Sequence, residues 1–153
     1  MRHPTPALLA LAASLLALSG CGDGRAPSAP SPTSFLAGTW SGTVTIQPAG
    51  EAASSGATTW TFVVVPQTNM QSFTATVRSE HPWLPITMQL TTALAPAATA
   101  PTQISTQGDY SSPRGCRGTV GSLGTAQTNR IEASFHGVDC LIGFDGNVVL
   151  TKN

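Results

Sequence analysis

The chain has 153 residues, only 9% of them charged, and its seven basic and seven acidic side chains balance. Nucleic-acid binding depends on a basic surface, so this balance argues against a nucleic-acid partner. The length leaves room for one domain of ordinary size beside any terminal segments.

The first twenty residues have the features of a secretory signal peptide. Residues 1–3 (MRH) form a short basic start, and residues 7–18 are apolar apart from one serine. That run is too short to cross a bilayer comfortably, which takes roughly 20 residues, and small residues follow it. We therefore predict that residues 1–20 are removed and that the chain is exported.

The end of this leader, Leu18-Ser19-Gly20-Cys21, resembles the lipobox of bacterial lipoproteins. The resemblance implies cleavage before Cys21, acylation of that cysteine and attachment to a membrane through the lipid anchor. By the same resemblance, Gly22 rather than aspartate after the cysteine implies the outer membrane of the bacterial cell envelope. Two or more acyl chains would give stable anchoring. The alternative is an ordinary signal peptide with an incidental cysteine.

Residues 22–34 (GDGRAPSAPSPTS) contain three prolines and no aromatic residue. Such a segment cannot bury enough surface to offset the entropy of ordering. We predict that residues 21–34 form the lipidated cysteine and a disordered tether, and that residues 35–153 form the folded domain. If extended at about 3.1 Å per residue, the tether would reach roughly 40 Å from the membrane.

Alternation with period two dominates residues 35–153 and predicts an all-β domain. Threonine and serine alternate with large apolar residues, as is typical of strands with one buried face. The predicted strands cover residues 38–46, 58–65, 72–78, 84–91, 130–137 and 144–152, with weaker ones at 103–107 and 115–120. Their predicted inward residues include Trp40, Val44, Ile46, Trp60, Phe62, Val64, Phe73, Ala75, Val77, Leu84, Ile86, Met88, Leu90, Ile131, Ala133, Phe135, Phe144, Gly146, Val148 and Leu150.

Turn-forming residues separate the strands, and no window after the leader predicts a helix. Residues 93–100 are alanine-rich but interrupted by proline, so we predict a loop there. Asp145-Gly146 falls inside a predicted strand, where either a bulge or a hairpin turn would fit. The other predicted turns are Ala49-Gly50, Ser55-Gly56, Thr68-Asn69 and Ser112-Pro113.

The first and last strands share the pattern aromatic-x-Gly-x-Val-x-aliphatic. It begins at Trp40 in the first strand and at Phe144 in the last. In a closed up-and-down barrel these two strands pair, and closure removes the exposed sheet edges. We therefore predict a single antiparallel up-and-down barrel of about eight strands, with a β-sandwich as the alternative fold.

Gly38-Thr39-Trp40 resembles the G-x-W motif of the calycins, the lipocalin and avidin-like barrels. The resemblance covers one strand and the general architecture, and it implies that Trp40 plugs one end of the barrel. Trp60, Phe62, Phe135 and Phe144 would then line or fill the lumen. It also implies a small apolar ligand in the barrel. The alternative is a filled barrel without a ligand, acting as a structural or interaction lipoprotein with an envelope protein partner.

Cys116 and Cys140 remain as a pair once Cys21 is assigned to the anchor. An exported protein lies in an oxidising compartment, where such a pair persists as a disulfide. A free thiol pair or a metal site is the alternative. No histidine lies at ligand spacing from the two cysteines, so no metal is predicted.

No set of residues predicts catalysis, so an enzyme is not expected and no cofactor is predicted. His81 and His136 are expected to be solvated, as are Arg114 and Arg117. Asp109, Asp139 and Asp145 are scattered beside turns, without the converging oxygens of a calcium site. Trp83 lies between two prolines in HPWLP, where it would either fold over the barrel end as a plug or stand at a rim that meets a ligand or partner.

Overall fold

The structure, a computed structural model, describes residues 35–65, 72–94 and 101–153. The predictions for the leader, the lipobox, the tether and the turn at Thr68-Asn69 therefore fall outside the described residues. Within those three ranges, no helix is long and apolar enough to cross a membrane.

Eight antiparallel strands form one closed barrel, which confirms the predicted fold class. Each strand pairs with the next along the chain, and the last pairs with the first, so the topology is up-and-down. Closure leaves no open sheet edge. The strands are β1 (Gly38–Pro48), β2 (Ser54–Val65), β3 (Ser72–Ser79), β4 (Thr87–Leu94), β5 (Thr102–Ser111), β6 (Arg117–Ala126), β7 (Arg130–Asp139) and β8 (Ile142–Lys152).

The seam between β1 and β8 is the pairing predicted from their shared pattern. A Cβ on Gly42 would overlap the backbone carbonyl of Val149, and one on Gly146 would overlap that of Thr45. Glycine at these two positions therefore lets the two backbones come close enough to close the barrel. The dipeptide Asp145-Gly146 pairs regularly on both sides, so it forms neither a bulge nor a turn.

The core consists of the inward-facing side chains of all eight strands. Most predicted inward positions are buried, and burying a large apolar side chain contributes about 1.5–3 kcal/mol. Ile104, in the weaker predicted strand, belongs to the core as well, and so do Leu94, Tyr110 and Ala126, which no predicted strand covers. The large buried apolar residues of the strands are Trp40, Ile46, Trp60, Phe62, Phe73, Met88, Leu90, Leu94, Ile104, Tyr110, Ile131, Phe135, Phe144 and Leu150.

The fourth strand differs from its prediction of residues 84–91, because it begins only at Thr87. Pro85 has no N–H to donate to a sheet, so the chain still turns there. Ile86, predicted to face inward, is 75% exposed for this reason. The strand also continues through residues 93 and 94, which had been predicted as loop, and the remainder of that predicted loop up to residue 100 lies outside the described ranges.

The predicted turn at Ser55-Gly56 is wrong, because both residues lie within β2. Gly56 pairs with Val44, and a Cβ on it would lie 3.0 Å from the Cα of His81. The glycine therefore marks a close approach of two backbones. The prediction for Val64 is also wrong, since this residue is exposed. β1 begins opposite Phe62 and does not reach far enough to cover it.

Candidate functional site

The two ends of the barrel are built from different segments. The end that we call the base holds the start of β1 and the end of β8. The opposite end, which we call the mouth, holds the connections at residues 49–53, 80–86, 112–116 and 140–141.

Trp40 lies at the base, where the calycin resemblance expects it, and its side chain is fully buried. Its Nε1–H donates a hydrogen bond of 2.8 Å to the carbonyl oxygen of Leu36. Phe62 packs edge-to-face against it, with ring centroids 6.5 Å apart. The Nζ of Lys152 lies 5.5 Å from the indole centroid, within cation–π range. The segment before β1 and the end of β8 thus close the base around this indole.

The lumen is filled by the other aromatic residues that the sequence assigned to it. Trp60 packs against Phe62 at 5.9 Å between ring centroids, and Phe135 packs against Phe144 at 6.1 Å. Between the side chains, about 20 Å³ remains accessible to the centre of a water molecule. That volume suits roughly one water. In this closed state, the cavity lined by Val44, Trp60 and Phe135 is therefore too small for an organic ligand.

Three threonine hydroxyl groups inside the barrel are also paired with protein groups. The Oγ1 of Thr58 accepts a hydrogen bond of 3.1 Å from the Nε1–H of Trp60 and donates one of 2.9 Å to the carbonyl oxygen of Arg78. The hydroxyls of Thr92 and Thr106 lie 3.2 Å apart. Buried polar groups satisfied in this way need no ligand to complete them.

The mouth is closed by residues 80–86, which we call the plug loop. Trp83 and Leu84 turn inward and are buried. The guanidinium of Arg114 lies over the indole of Trp83, with Cζ 3.4 Å from the ring centroid. Of the two predicted positions for Trp83, its burial is that of a plug.

Arg114 also forms an ion pair with the buried carboxylate of Asp139, with Nη1 3.1 Å from Oδ2. The Oγ–H of Ser112 donates to the same oxygen at 3.0 Å, and Ser112 Oγ accepts the backbone N–H of Arg114 at 3.0 Å. Arg114 is exposed, as expected, but its guanidinium is paired with Asp139. Asp139 is buried at the end of β7 and needs a cation there. Arg117 differs, because it pairs with Asp109 on the exposed surface.

Tyr110 completes the polar cluster under the plug loop. Its hydroxyl is buried and forms no hydrogen bond of normal geometry with any residue in the described ranges. Burial raises the pKa of Tyr110, and the negative charge of Asp139 raises it further. The phenol therefore stays protonated throughout the physiological pH range.

As predicted, the Sγ atoms of Cys116 and Cys140 lie at disulfide-bonding distance, with 5.4 Å between the Cα atoms. The pair ties the connection before β6 to the turn after β7. Asp139 lies beside both cysteines, but disulfide sulfurs are not thiolates, so the oxidised cluster offers no metal site. Cys140 and Leu141 have φ of 50° and 73°, because a two-residue hairpin needs positive φ at both positions.

The expectation that His81 is solvated is wrong, since the residue is 1% exposed. Its Nδ1 accepts the backbone N–H of Trp83 at 3.2 Å, and its Nε2 lies 3.0 Å from both the Oγ and the carbonyl oxygen of Ser54. A ring nitrogen that accepts places the proton on the other nitrogen. Nε2 therefore carries the proton and cannot act as a general base toward Ser54. His136 is exposed on β7, as predicted.

Sequence reasoning missed the cluster formed by Ser112, Arg114 and Asp139. One signal was available: Arg114 is two residues from Cys116, and Asp139 is next to Cys140. Once the two cysteines are paired, the two charges must be close together. Nothing comparable in the sequence linked this cluster to the plug loop.

The described residues define a small, closed, eight-stranded antiparallel barrel, consistent with a calycin-like fold. No protein-family model matches the chain. No curated protein and no solved structure matches it either.

Proposed function

We propose that this is a lipid-anchored protein of the bacterial cell envelope that acts through its surface, as a structural or interaction protein. The observation that carries the proposal is the filled lumen, in which space for about one water remains. An organic ligand would first have to displace Trp83 and Leu84 from the mouth. A protein that binds partners on its outer wall needs no internal binding cavity.

The lipobox resemblance supports the anchor on Cys21 and the outer-membrane location. The described chain begins at Phe35, whose carbonyl oxygen accepts a hydrogen bond from Lys152 at the base. The tether would therefore join the barrel at its base. Two or more acyl chains on Cys21 hold a protein on a membrane without a spanning segment.

The outer wall formed by β1 to β4 supports a role in surface interaction. Among the residues of these four strands, Arg78 is the one charged residue. A row of adjacent outward side chains, Thr39, Thr61, Thr76 and Gln89, crosses the wall from strand to strand. Such a neutral surface can be covered by a partner without the cost of desolvating charges. We call β1 to β4 the neutral wall.

Mass spectrometry of the protein extracted from its own membranes tests both parts of the proposal. Under denaturing conditions, we expect the mass of residues 21–153 with acyl chains on Cys21. Under native conditions, we expect the folded protein to carry no small molecule at one-to-one ratio. An unmodified Cys21 would refute the anchor, and an apolar molecule released only on unfolding would refute the filled lumen. Cys21→Ser is the matched control. Because it has no cysteine to acylate, this variant should be absent from the membrane fraction.

A second candidate function is the binding of a small apolar ligand in the lumen. It is supported by the way the mouth is closed, because the plug loop is a connection between strands and could leave without breaking the barrel. The lining under it includes Val44, Val77, Met88 and Leu90. The native mass spectrum described above separates the two candidates.

A further inference from the structure

We infer that His81 is an acid-sensitive latch of the mouth: uptake of a proton by its imidazole releases the plug loop and opens the lumen. The inference rests on the proposed function in one respect, namely that the barrel is closed and filled at neutral pH. It adds a second, acid-induced state in which the apolar lumen is accessible.

The hydrogen bonds of His81 can be made only by the neutral ring. Nδ1 accepts the backbone N–H of Trp83 at 3.2 Å, so it must be unprotonated. Nε2 faces the carbonyl oxygen and the hydroxyl of Ser54 at 3.0 Å, so it carries the hydrogen. Protonation of Nδ1 would place two N–H donors against each other and remove the bond to Trp83.

The charge produced by protonation would not be compensated in the closed mouth. The ring is 1% exposed, and no carboxylate of the described residues forms an ion pair with it. β2 supplies Ser54 and Gly56 but no charged residue. On β3 and the plug loop the charged neighbours in sequence are Arg78 and Glu80, both exposed.

The remaining connections around the latch also lack an acidic partner for the ring. Arg114 lies over the Trp83 indole and forms its ion pair with Asp139. Glu51, in the connection between β1 and β2, is exposed. A buried charge without a partner is strongly disfavoured, so the protonated ring favours the open mouth, where water can solvate it.

Proton uptake by His81 and opening of the mouth are therefore linked. The closed mouth holds the neutral ring, while the open mouth accepts the charged ring, so a fall in pH shifts the population toward the open mouth. Because the backbone N–H of Leu84 donates to the carbonyl oxygen of His81 at 3.0 Å, the loop moves as one unit with the residue.

Hydrogen–deuterium exchange of the mature anchored protein tests the latch. After correction for the effect of pH on chemical exchange, we expect amides of residues 80–86 to lose at least about tenfold protection between pH 7.5 and 5. Amides of β1 and β8 should stay protected. No change in residues 80–86, or an equal loss throughout the barrel, would overturn the latch.

Two variants provide matched controls. His81→Asn keeps an acceptor near the Trp83 N–H but cannot take up a proton, so its loop protection should not depend on pH. His136→Gln removes the exposed histidine of β7 and should behave like the wild type. A transition that survives in His81→Asn, or disappears in His136→Gln, would overturn the assignment to His81.

Nitrogen NMR of the wild-type histidine ring keeps the test valid if His81→Asn does not fold. We expect the neutral ring with its hydrogen on Nε2 at pH 7.5, and a doubly protonated ring appearing together with loss of loop protection. A ring that stays neutral while the loop opens would contradict the latch. A small molecule found in the lumen at neutral pH would instead contradict the proposed function, so the two failures are distinguishable.

Discussion

Arg114 is the residue on which the contacts of the mouth converge. Its guanidinium covers the indole of Trp83 and neutralises the buried carboxylate of Asp139. The side chain is 37% exposed, so water screens part of this interaction. A planar guanidinium suits both contacts, because it stacks on an aromatic face and donates in its own plane.

Replacing Arg114 should therefore lower the free energy of unfolding more than replacing Arg117, the arginine on the other side of Cys116. We expect Arg114→Ala to lower the free energy of unfolding by about 2 kcal/mol, because it leaves Asp139 buried without a cation. Arg117→Ala is the matched control and should cost no more than about 0.5 kcal/mol, since the Arg117–Asp109 pair is exposed. Urea unfolding followed by circular dichroism measures both. Equal losses of unfolding free energy in the two variants would show that Arg114 does not stabilise the buried carboxylate of Asp139.

At the scale of single residues, the sequence predicted which side chains are inside better than it predicted how polar ones are paired. Trp40, Phe62 and Phe144 alternate with threonine or another polar residue, so period two is enough to place them. His81 and Arg114 lie in connections, where no period applies. The burial of His81 and the ion pair of Arg114 follow from the way the barrel brings two separate connections together over its mouth. This depends on the complete set of strand pairings.

At the scale of elements, strands could be predicted wherever one face is buried along the whole length. The pattern failed at residues 84–86, because Leu84 and Ile86 fit the alternation but precede the strand. Two prolines, Pro82 and Pro85, already indicated that the chain could not pair regularly there. The similarity of β1 and β8 carried more information than any single strand, because it predicted the pairing that closes the barrel.

The seam between β1 and β8 should be the element most sensitive to an added methyl group. In Gly42→Ala the new Cβ would overlap the backbone of Val149, which cannot move without disturbing the ladder. We expect a loss of at least about 2 kcal/mol in the free energy of unfolding. Gly143→Ala is the control, since open space surrounds that position, and its effect should stay within about 0.5 kcal/mol. If Gly42→Ala were as mild as the control, the two strands could not be as close as they are here.

At the scale of the whole molecule, the barrel has two unlike walls. β1 to β4 form the neutral wall, whose outward residues are mainly threonine, serine and glutamine. β5 to β8 carry the other charged strand residues, namely Asp109, Arg117, Arg130, Glu132, Asp139, Asp145 and Lys152. Charged side chains resist burial under a partner because their desolvation is costly. The asymmetry therefore favours the neutral wall as the side that meets another envelope component.

Site-specific photo-crosslinking in intact cells can distinguish the two walls. A photoreactive residue in place of Thr61, in the middle of the neutral wall, should give a discrete product with a component of the cell envelope. The same residue in place of Ser134, which faces outward on β7, is the control and should give none. Thr61→Lys should reduce capture from a reporter at Thr76, because the partner would then have to bury a charge. Equal products from both walls would mean random encounters, and no product from Thr61 would remove the neutral wall as the contact surface.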